Sequence, residues 1–399
     1  MPVSRAVRGW IPVAAALFVA GWGANQFAPL SVVYRTQERW PAVPVAAMFT
    51  TYLLGLLPGL LLGGPAARRA GRRRVVRSAL ALSAAASVVL AAAAVSQAAV
   101  YVSRIATGLA AGLVLTAGTA WLRELSAGAG RPDAGAVRAA YATGGGFAAG
   151  ALTAGSLAEW LPGPTVLPGL VHAAVALLAL GATARVPGAP PTTVAAAAQP
   201  RFTASGRALL AHPRFLWVVL PASPAVFGAS TVAYVVLPPL VADRIPGYEP
   251  VFSGLVAALT FAVGLAVRPL ADRLDHAHSA RATLVAMVTV IGGLLVGACA
   301  AYGDSVGLVV FAAVLLGGGY GLTLASGLRE IERLAPPAAR PSTAFVHQGA
   351  AYSGFLAPLL LAVTAGAAPY AALLAGLAAG GLFCLTVTAR FSRRHLPRA

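Results

Sequence analysis

The sequence predicts an all-α membrane protein in which twelve transmembrane helices form two six-helix bundles. Three observations predict this class. About two thirds of the chain lies in apolar spans of membrane length, nearly every arginine lies in alternate gaps between those spans, and 58% of the residues are hydrophobic while 10% are charged. A helix needs about 20 mostly apolar residues to cross the hydrocarbon core. It also satisfies its own backbone hydrogen bonds where water is absent.

The apolar spans follow one another along the whole chain. In order, they cover residues 10–33, 43–64, 75–95, 98–121, 137–158, 163–184, 214–240, 251–271, 282–302, 305–327, 343–364 and 368–389. Residues 10–20 resemble the core of a signal peptide, but this stretch continues into a full-length span. We therefore interpret it as an uncleaved first helix.

The arginines orient the spans. All 29 basic residues are Arg, and with a cytoplasmic N-terminus 25 of them fall in inner loops or at inner span ends, three in outer loops and one, Arg104, farther inside a span. This bias predicts an integral protein of the cell membrane with both termini in the cytoplasm. The net charge of +18 is spread over short loops, so it indicates topology and contact with anionic lipid headgroups rather than nucleic-acid binding.

The longest inner gap divides the spans six and six. It covers about residues 186–212 and is rich in Pro, Ala, Thr and Ser, which predicts a flexible linker between an N-terminal bundle (1–185) and a C-terminal bundle (213–399). No segment is long enough for a soluble nucleotide-binding domain, and neither GxxxxGK[ST] nor HExxH occurs. The sequence therefore indicates neither ATP-driven transport nor an enzyme, and it predicts no cofactor and no metal.

A basic turn segment recurs at the matching place in each half. After span 2 the sequence is GPAARRAGRRR, from Gly64 to Arg74, and after span 8 it is RPLADRLD, from Arg268 to Asp275. Internal repeats of this kind are typical of secondary transporters, whose substrate site lies near the membrane midplane where the repeats meet.

In span count, division and loop motif, the chain resembles the major facilitator superfamily of transporters. The family pattern between spans 2 and 3 is Gly, three residues, Asp, Arg, any residue, Gly, Arg, Arg. This chain matches it at Gly64, Arg69, Gly71, Arg72 and Arg73, with Arg68 at the acidic position, and it keeps Asp272 and Arg273 at the matching place in the second half. The resemblance implies that these residues control switching between access states. The alternative is that the loop is only a topology signal.

Spans 4 and 5 carry two further similarities to the family. Arg104, followed by spaced glycines, is similar to a motif whose Arg is implicated in proton coupling. The alternative is that Arg104, about 9 Å from the outer end at 1.5 Å per residue, extends to the interface. Gly146 and Gly150 in span 5 resemble the exporter motif, although its Pro is Ala151 here. Close helix packing explains these glycines equally well.

Polar residues within spans indicate where a substrate pathway lies. Asn25, Gln26 and Arg104 lie in the outer halves of spans 1 and 4, and Tyr234 lies in the outer half of span 7. In the family, spans 1, 4, 7 and 10 line the cavity, so we expect these four residues to converge. The other candidate substrate-binding residues are Trp22 beside the two amides and His347, Gln348 and Tyr352 on span 11. The alternatives are helix–helix hydrogen bonds for the amides and interface anchoring or packing for the aromatic residues.

The coupling proton needs a group that titrates. All 11 acidic residues fall in loops or at span ends, which leaves as candidates Glu38, Glu124, Asp243, His172 and His347. The sequence thus favours a secondary active transporter that exports a small amphiphilic molecule, a drug or metabolite, in exchange for protons. The alternatives are uptake of a neutral or anionic metabolite, which a permanent charge at Arg104 favours, and a non-transporting sensor with a transporter fold.

Overall fold

The computed structural model describes residues 9–92, 96–131, 134–187, 210–276, 278–335 and 340–394, and most of these residues are helical, with no β-strand among them. The helices of the first half are α1 (Ile11–Thr36), α2 (Ala42–Ala70), α3 (Arg72–Ala91), α4 (Gln97–Gly128), α5 (Ala134–Trp160) and α6 (Leu167–Thr183). Those of the second half are α7 (Phe215–Arg244), α8 (Glu249–Leu274), α9 (Arg281–Gly303), α10 (Val306–Leu334), α11 (Arg340–Tyr352, continued by Ser353–Leu356 and Ala357–Thr364) and α12 (Tyr370–Phe391).

Ten helices in the described part of the chain are long and apolar enough to cross a membrane. Helices α5 and α6 lie at two further predicted spans, but α5 is not among the ten and α6 has only 17 residues. The structure therefore confirms an all-helical chain with many membrane-length helices, while the count of twelve spans stays a prediction.

The chain divides into two compact units. The first contains Met1–Ala196 together with Tyr248–Ala258, and the second contains Ala197–Gly247 and Leu259–Ala399. The bundle limits 1–185 and 213–399 stay predictions, and most of the predicted linker, 186–212, lies outside the described residues.

In the first unit, α1 packs against α5 and α6, α2 against α4, and α3 against α4 and α6. Helix α1 breaks at Gln26, between the segments Ile11–Asn25 and Phe27–Thr36. Pro29 explains the break, because it has no N–H to donate to the Asn25 carbonyl and its ring crowds that oxygen. The break places side chains from Asn25 to Phe27 inside the unit, where all are buried.

Glycines bring α5 against α1 and turn the chain between α2 and α3. A Cβ at Gly150 would lie 2.6 Å from the Trp22 Cα, and one at Gly146 would overlap the Phe18 backbone, so both positions need glycine for close packing. Gly71 ends α2 with a φ of +83°, a conformation that glycine adopts without strain. The next residue, Arg72, begins α3.

In the second unit, α9 packs against α10 and α12, and α7 packs against α10. Helix α7 is irregular, with π-helical turns at Phe215–Val219 and Val232–Val236 and a 3₁₀ end at Pro238–Arg244. Helix α4 has one π-helical turn, at Val114–Gly118. Turns of this kind occur frequently at functional sites.

Candidate functional site

Arg104 on α4 is enclosed within the first unit. The residue is 1% exposed. Its Nη1 donates to the Ala24 carbonyl oxygen at 3.3 Å, and its Nη2 donates to the Phe49 carbonyl oxygen at 3.4 Å. The guanidinium carbon also lies 4.6 Å from the Phe27 ring centroid and 4.8 Å from that of Tyr52. We call these four partners the Arg104 cage.

The cage shows how a permanent charge is accommodated inside a membrane-type helix. Charge-assisted hydrogen bonds and aromatic ring faces replace part of the water that a guanidinium loses on burial. The break in α1 contributes Ala24 and Phe27, and α2 contributes Phe49 and Tyr52. The charge therefore holds three helices together, and the side chain does not extend to the surface of the unit as the alternative interpretation required.

The Asn25 and Gln26 amides donate to other helices. Asn25 Nδ2 donates to the Phe147 carbonyl oxygen of α5 at 3.0 Å, and Gln26 Nε2 donates to Ser87 Oγ of α3 at 3.4 Å. These are helix–helix hydrogen bonds, the alternative that the sequence left open. A role of the two amides in substrate binding stays a prediction.

A buried polar chain continues from Gln26 through Ser87 to His172 on α6. Ser87 Oγ lies 2.7 Å from His172 Nδ1, and His172 Nε2 lies 3.1 Å from the Val19 carbonyl oxygen. Because a carbonyl only accepts, Nε2 carries the proton and Nδ1 accepts from the Ser87 hydroxyl. In the neutral ring this arrangement satisfies both nitrogens. The Trp22 ring lies 6.3 Å from the His172 ring, so two of the predicted residues, Trp22 and Gln26, border this chain.

His347 on α11 has a similar serine partner in the second unit. Ser223 Oγ donates to the Val219 carbonyl oxygen at 2.8 Å and lies 2.8 Å from His347 Nδ1. A hydroxyl has one proton, so Nδ1–H donates to Ser223 and Nε2 is left as an acceptor. Within the described residues Nε2 has no hydrogen-bond partner, although His347 is 1% exposed. A Cβ at Gly327 would lie 2.7 Å from Nε2, so a glycine on α10 makes room for the ring.

The predicted residues Tyr234 and Tyr352 belong to an aromatic cluster of the second unit. Tyr234 packs on Phe261 with ring centroids 5.4 Å apart, and Tyr352 stacks on Phe227 at 4.8 Å. Tyr320 joins the two pairs, at 5.6 Å from Phe261 and 6.0 Å from Phe227. Phe227, Phe261 and Tyr320 were not among the predicted residues. Two features of the sequence point to this cluster. Phe227 and Tyr234 are seven residues apart, which puts both on one helix face, and Tyr320 lies within a glycine run on α10.

Two predicted substrate-binding residues, Gln348 and Tyr234, lie in the second unit. Gln348 is half-buried beside His347 on α11, in the second unit. Tyr234 also belongs to the second unit, so its predicted convergence with Arg104 stays a prediction.

The recurring basic segments form ion pairs of opposite polarity in the two units. In the first, Arg72 at the start of α3 pairs with Glu124 near the end of α4. In the second, Asp272 near the end of α8 pairs with Arg329 near the end of α10. Each pair thus joins a repeated loop segment to the matching helix, but the acid and the arginine have exchanged sides.

The other predicted switching residues lie around these pairs. Arg73 donates to the Ala184 carbonyl oxygen beyond α6, which ties α3 to that helix. Gly64 is half-buried, and a Cβ placed on it would lie 3.8 Å from Arg68 Nη1. Arg273 is exposed, and its carbonyl oxygen accepts from Arg281 Nη2 at 3.0 Å.

A buried ion pair in the second unit is a site that sequence analysis missed. We expected Glu330 to lie beyond the tenth span, which was predicted to end at residue 327, but α10 continues to Leu334 and Glu330 is 3% exposed. Arg214, 1% exposed, donates to both carboxylate oxygens at 2.7 and 2.9 Å. Its Nη1 also donates to the Ser392 carbonyl oxygen at 2.9 Å. Glu330 thus lies near the end of its helix, and its bidentate partner permits the charge to be buried there.

Comparison with known proteins agrees with this architecture. Among solved structures, the chain is similar to a POT family transporter in complex with 5-aminolevulinic acid, at 12% identity and a TM-score of 0.79, covering 98% of this chain and 97% of that one. It is also similar to the nucleoside transporter NupG, at 13% identity and a TM-score of 0.73, covering 95% and 97%. The inward-open xylose transporter XylE from E. coli matches at 13% identity and a TM-score of 0.70, covering 98% and 96%. At these identities the likeness shows the fold. A search of curated proteins finds no match.

The sequence itself matches the family model described as Major Facilitator Superfamily over residues 13–358, which is most of the chain. That range takes in the Arg104 cage, both Ser–His pairs and both loop ion pairs. The many apolar helices and the family together indicate an integral membrane protein. The chain therefore belongs to the Major Facilitator Superfamily and is a transporter of that family.

Proposed function

We propose that the protein is a secondary active transporter of the cell membrane that exports a small amphiphilic molecule in exchange for protons, by alternating access and with both termini in the cytoplasm. The Arg104 cage is the observation that carries the proposal. It places an enclosed permanent charge beside a broken helix in the region where polar residues of α1 meet α3, α4 and α5. A structural role alone rarely justifies the cost of an ionised side chain at such a place.

Arg104 cannot carry the coupling proton, because a guanidinium stays protonated. The Ser87–His172 and Ser223–His347 pairs are the groups we assign to that task. The imidazole is the side chain whose ordinary pKa, about 6.5, is closest to neutral. In the second pair the ring presents Nε2 of His347 as an open acceptor, whereas a proton can reach Nδ1 of His172 only if the Ser87 hydroxyl turns from donor to acceptor.

Export is supported by the glycines of α5. Gly146 and Gly150 bring α5 against the backbone of α1 without intervening side chains. Small residues let two helix backbones approach closely, and the spacing of these two glycines matches that of the exporter-like motif.

Uptake of a neutral or anionic metabolite is the second candidate. The permanent charge of Arg104 favours it, since a cation repels cationic cargo. Two of the similar structures are a nucleoside transporter and a xylose transporter.

Flux measurements on proteoliposomes of known orientation decide between these functions. We expect an imposed proton gradient to drive accumulation of an amphiphilic probe on the side that corresponds to the cell exterior. Nucleosides, sugars, short peptides and small anions are tested in parallel, with liposomes that contain the Arg104→Ala variant as the control. Accumulation on the cytoplasmic side supports uptake. Binding without flux for every compound that stabilises the protein supports a sensor and refutes both transport candidates.

The Arg72–Glu124 pair is expected to set the rate of switching between access states. Arg72→Ala and Glu124→Gln each remove one side of a partly exposed pair, with side-chain exposures of 18% and 39%. Pairs of this kind are worth at most about 1 kcal/mol, so we expect transport about threefold to fivefold slower and an unchanged equilibrium affinity for substrate. Arg73→Ala, which loses the contact with Ala184, should act in the same direction.

The matched control is Arg390→Ala, an exposed arginine near the end of α12 and outside the loop motif. We expect it to transport at the wild-type rate. The exchange Arg72→Glu with Glu124→Arg should recover most of the rate. If the Arg72, Arg73 and Glu124 variants all transport normally, the loop is only a topology signal.

A further inference from the structure

One face of α3 lines a cleft within the first unit. Arg73, Arg74, Arg77 and Ser78 border it, and its volume is about 400 Å³. This volume falls within the range of about 300–1,000 Å³ that is usual for small-ligand sites. The four residues stand at positions i, i+1, i+4 and i+5 of a helix, so their side chains project on the same side.

The cleft carries positive charge that the protein leaves uncompensated. Within the described residues, no carboxylate forms an ion pair with Arg73, Arg74 or Arg77, whereas the neighbouring Arg72 is paired with Glu124. The residues also occupy the first two turns of a 20-residue helix, where the helix dipole adds partial positive charge. An anion is therefore the ligand that this cleft favours.

Its side chains combine fixed and adaptable donors. Arg73 is held by the Ala184 carbonyl oxygen, so one side of the cleft is rigid. Arg74 and Ser78 are exposed and Arg77 is half-buried, so their donors are accessible. Guanidinium groups match the oxygens of a phosphate in bidentate geometry, and a serine hydroxyl adds a neutral donor.

We propose that this cleft binds the phosphate of an anionic phospholipid headgroup. The position along α3 favours a lipid over a soluble anion. The four residues directly precede the apolar part of a candidate membrane span, which continues to Ala91. A phosphate held by the arginines thus has acyl chains that extend beside that apolar stretch. The charge bias of the loops predicts this end of α3 on the cytoplasmic side, where anionic lipids concentrate. Arg73 borders the cleft and also belongs to the loop motif, but Arg74 and Arg77 lie outside that motif, so substitutions at these two residues test the cleft without changing the switching residues Arg72, Arg73 and Glu124.

Thermal unfolding of the purified full-length protein in detergent tests the site. Dioctanoyl phosphatidylglycerol is titrated against dioctanoyl phosphatidylcholine and inorganic phosphate, and the shift in tryptophan-fluorescence Tm gives an apparent Kd. We expect phosphatidylglycerol alone to raise the Tm of the wild type. The variant with Arg74→Gln and Arg77→Gln loses two charge-assisted contacts, so its apparent Kd should rise at least about tenfold. Arg390→Gln removes the same charge from an exposed arginine near the end of α12, and its apparent Kd should stay within about twofold.

Arg74→Gln alone guards against a folding defect, because this side chain is exposed, and it should weaken binding in the same direction. Three results overturn the proposal. The first is an unchanged apparent Kd in the Arg74→Gln and Arg77→Gln variants, which shows that the lipid binds elsewhere. The second is equal stabilisation by phosphatidylcholine, which shows a generic lipid effect. The third is equal stabilisation by inorganic phosphate, which makes the cleft a site for a soluble anion.

Discussion

Replacing Arg104 by alanine is expected to abolish coupled transport while the protein still folds. The residue makes two hydrogen bonds to carbonyl oxygens and faces aromatic rings. At 3.3 and 3.4 Å both bonds are longer than the usual charge-assisted hydrogen bond, so we take the lower end of the usual range, about 1.5 kcal/mol each and about 3 kcal/mol together. If this free energy is lost from one access state, the equilibrium constant between the access states changes by about a hundredfold. We therefore expect less than about 1% of the wild-type rate in the proton-driven flux assay.

Arg104→Lys separates charge from geometry. Lysine keeps the charge but has no planar fork with which to reach the Ala24 and Phe49 carbonyl oxygens together. We expect it to recover less than about a tenth of the wild-type rate. Arg35→Ala is the matched control, since Arg35 is exposed and donates to one carbonyl oxygen, that of Trp40, at 2.6 Å. Normal flux with normal pH dependence in Arg104→Ala would reduce the cage to a packing feature and remove the main support for the proposed function.

Removing one partner of the Arg214–Glu330 pair is expected to give the largest loss of stability. Glu330→Leu leaves a guanidinium charge in a place where both partners are at most 4% exposed. An uncompensated buried charge typically costs about 3–5 kcal/mol. The Arg214 contacts with Ser392 and Arg394 also join the end of α12 to the beginning of α7. We expect a fall in Tm of several degrees, measured on purified protein by tryptophan fluorescence.

The double variant Arg214→Leu with Glu330→Leu tests whether the two charges act as a pair. It should be more stable than either single variant, because no charge is then left without its partner. Asp304→Asn is the control, since the Arg244–Asp304 pair is exposed on both sides and its loss should cost at most about 1 kcal/mol. Asparagine also tolerates the left-handed backbone of Asp304, whose φ is +46°. Additive effects of the Arg214 and Glu330 substitutions would show that the pair contributes no coupling energy.

The sequence by itself determined the class of the protein and the approximate position of its helices. Membrane-length apolar spans depend on local composition, and a helix closes its hydrogen bonds within its own segment. Gly71 at a turn and Arg104 inside a span were also recognisable. Glycine between two apolar spans favours a turn, and a charge within an apolar run has few explanations. The family match over residues 13–358 agrees with the resemblance seen in the loop motif.

Only the tertiary structure decided which side chains meet. Nothing in the local sequence pairs Arg214 with Glu330, which lie 116 positions apart, or Ser87 with His172, which lie 85 apart. Asn25 and Gln26 were recognisable as polar residues in a span, but the direction of their amides depends on where Pro29 breaks α1 and which carbonyl or hydroxyl then lies within reach. A charge is buried only where partners from distant helices surround it. The sequence therefore determines where polar groups enter the helices, and helix packing decides which become ion pairs, cages or hydrogen-bonded chains.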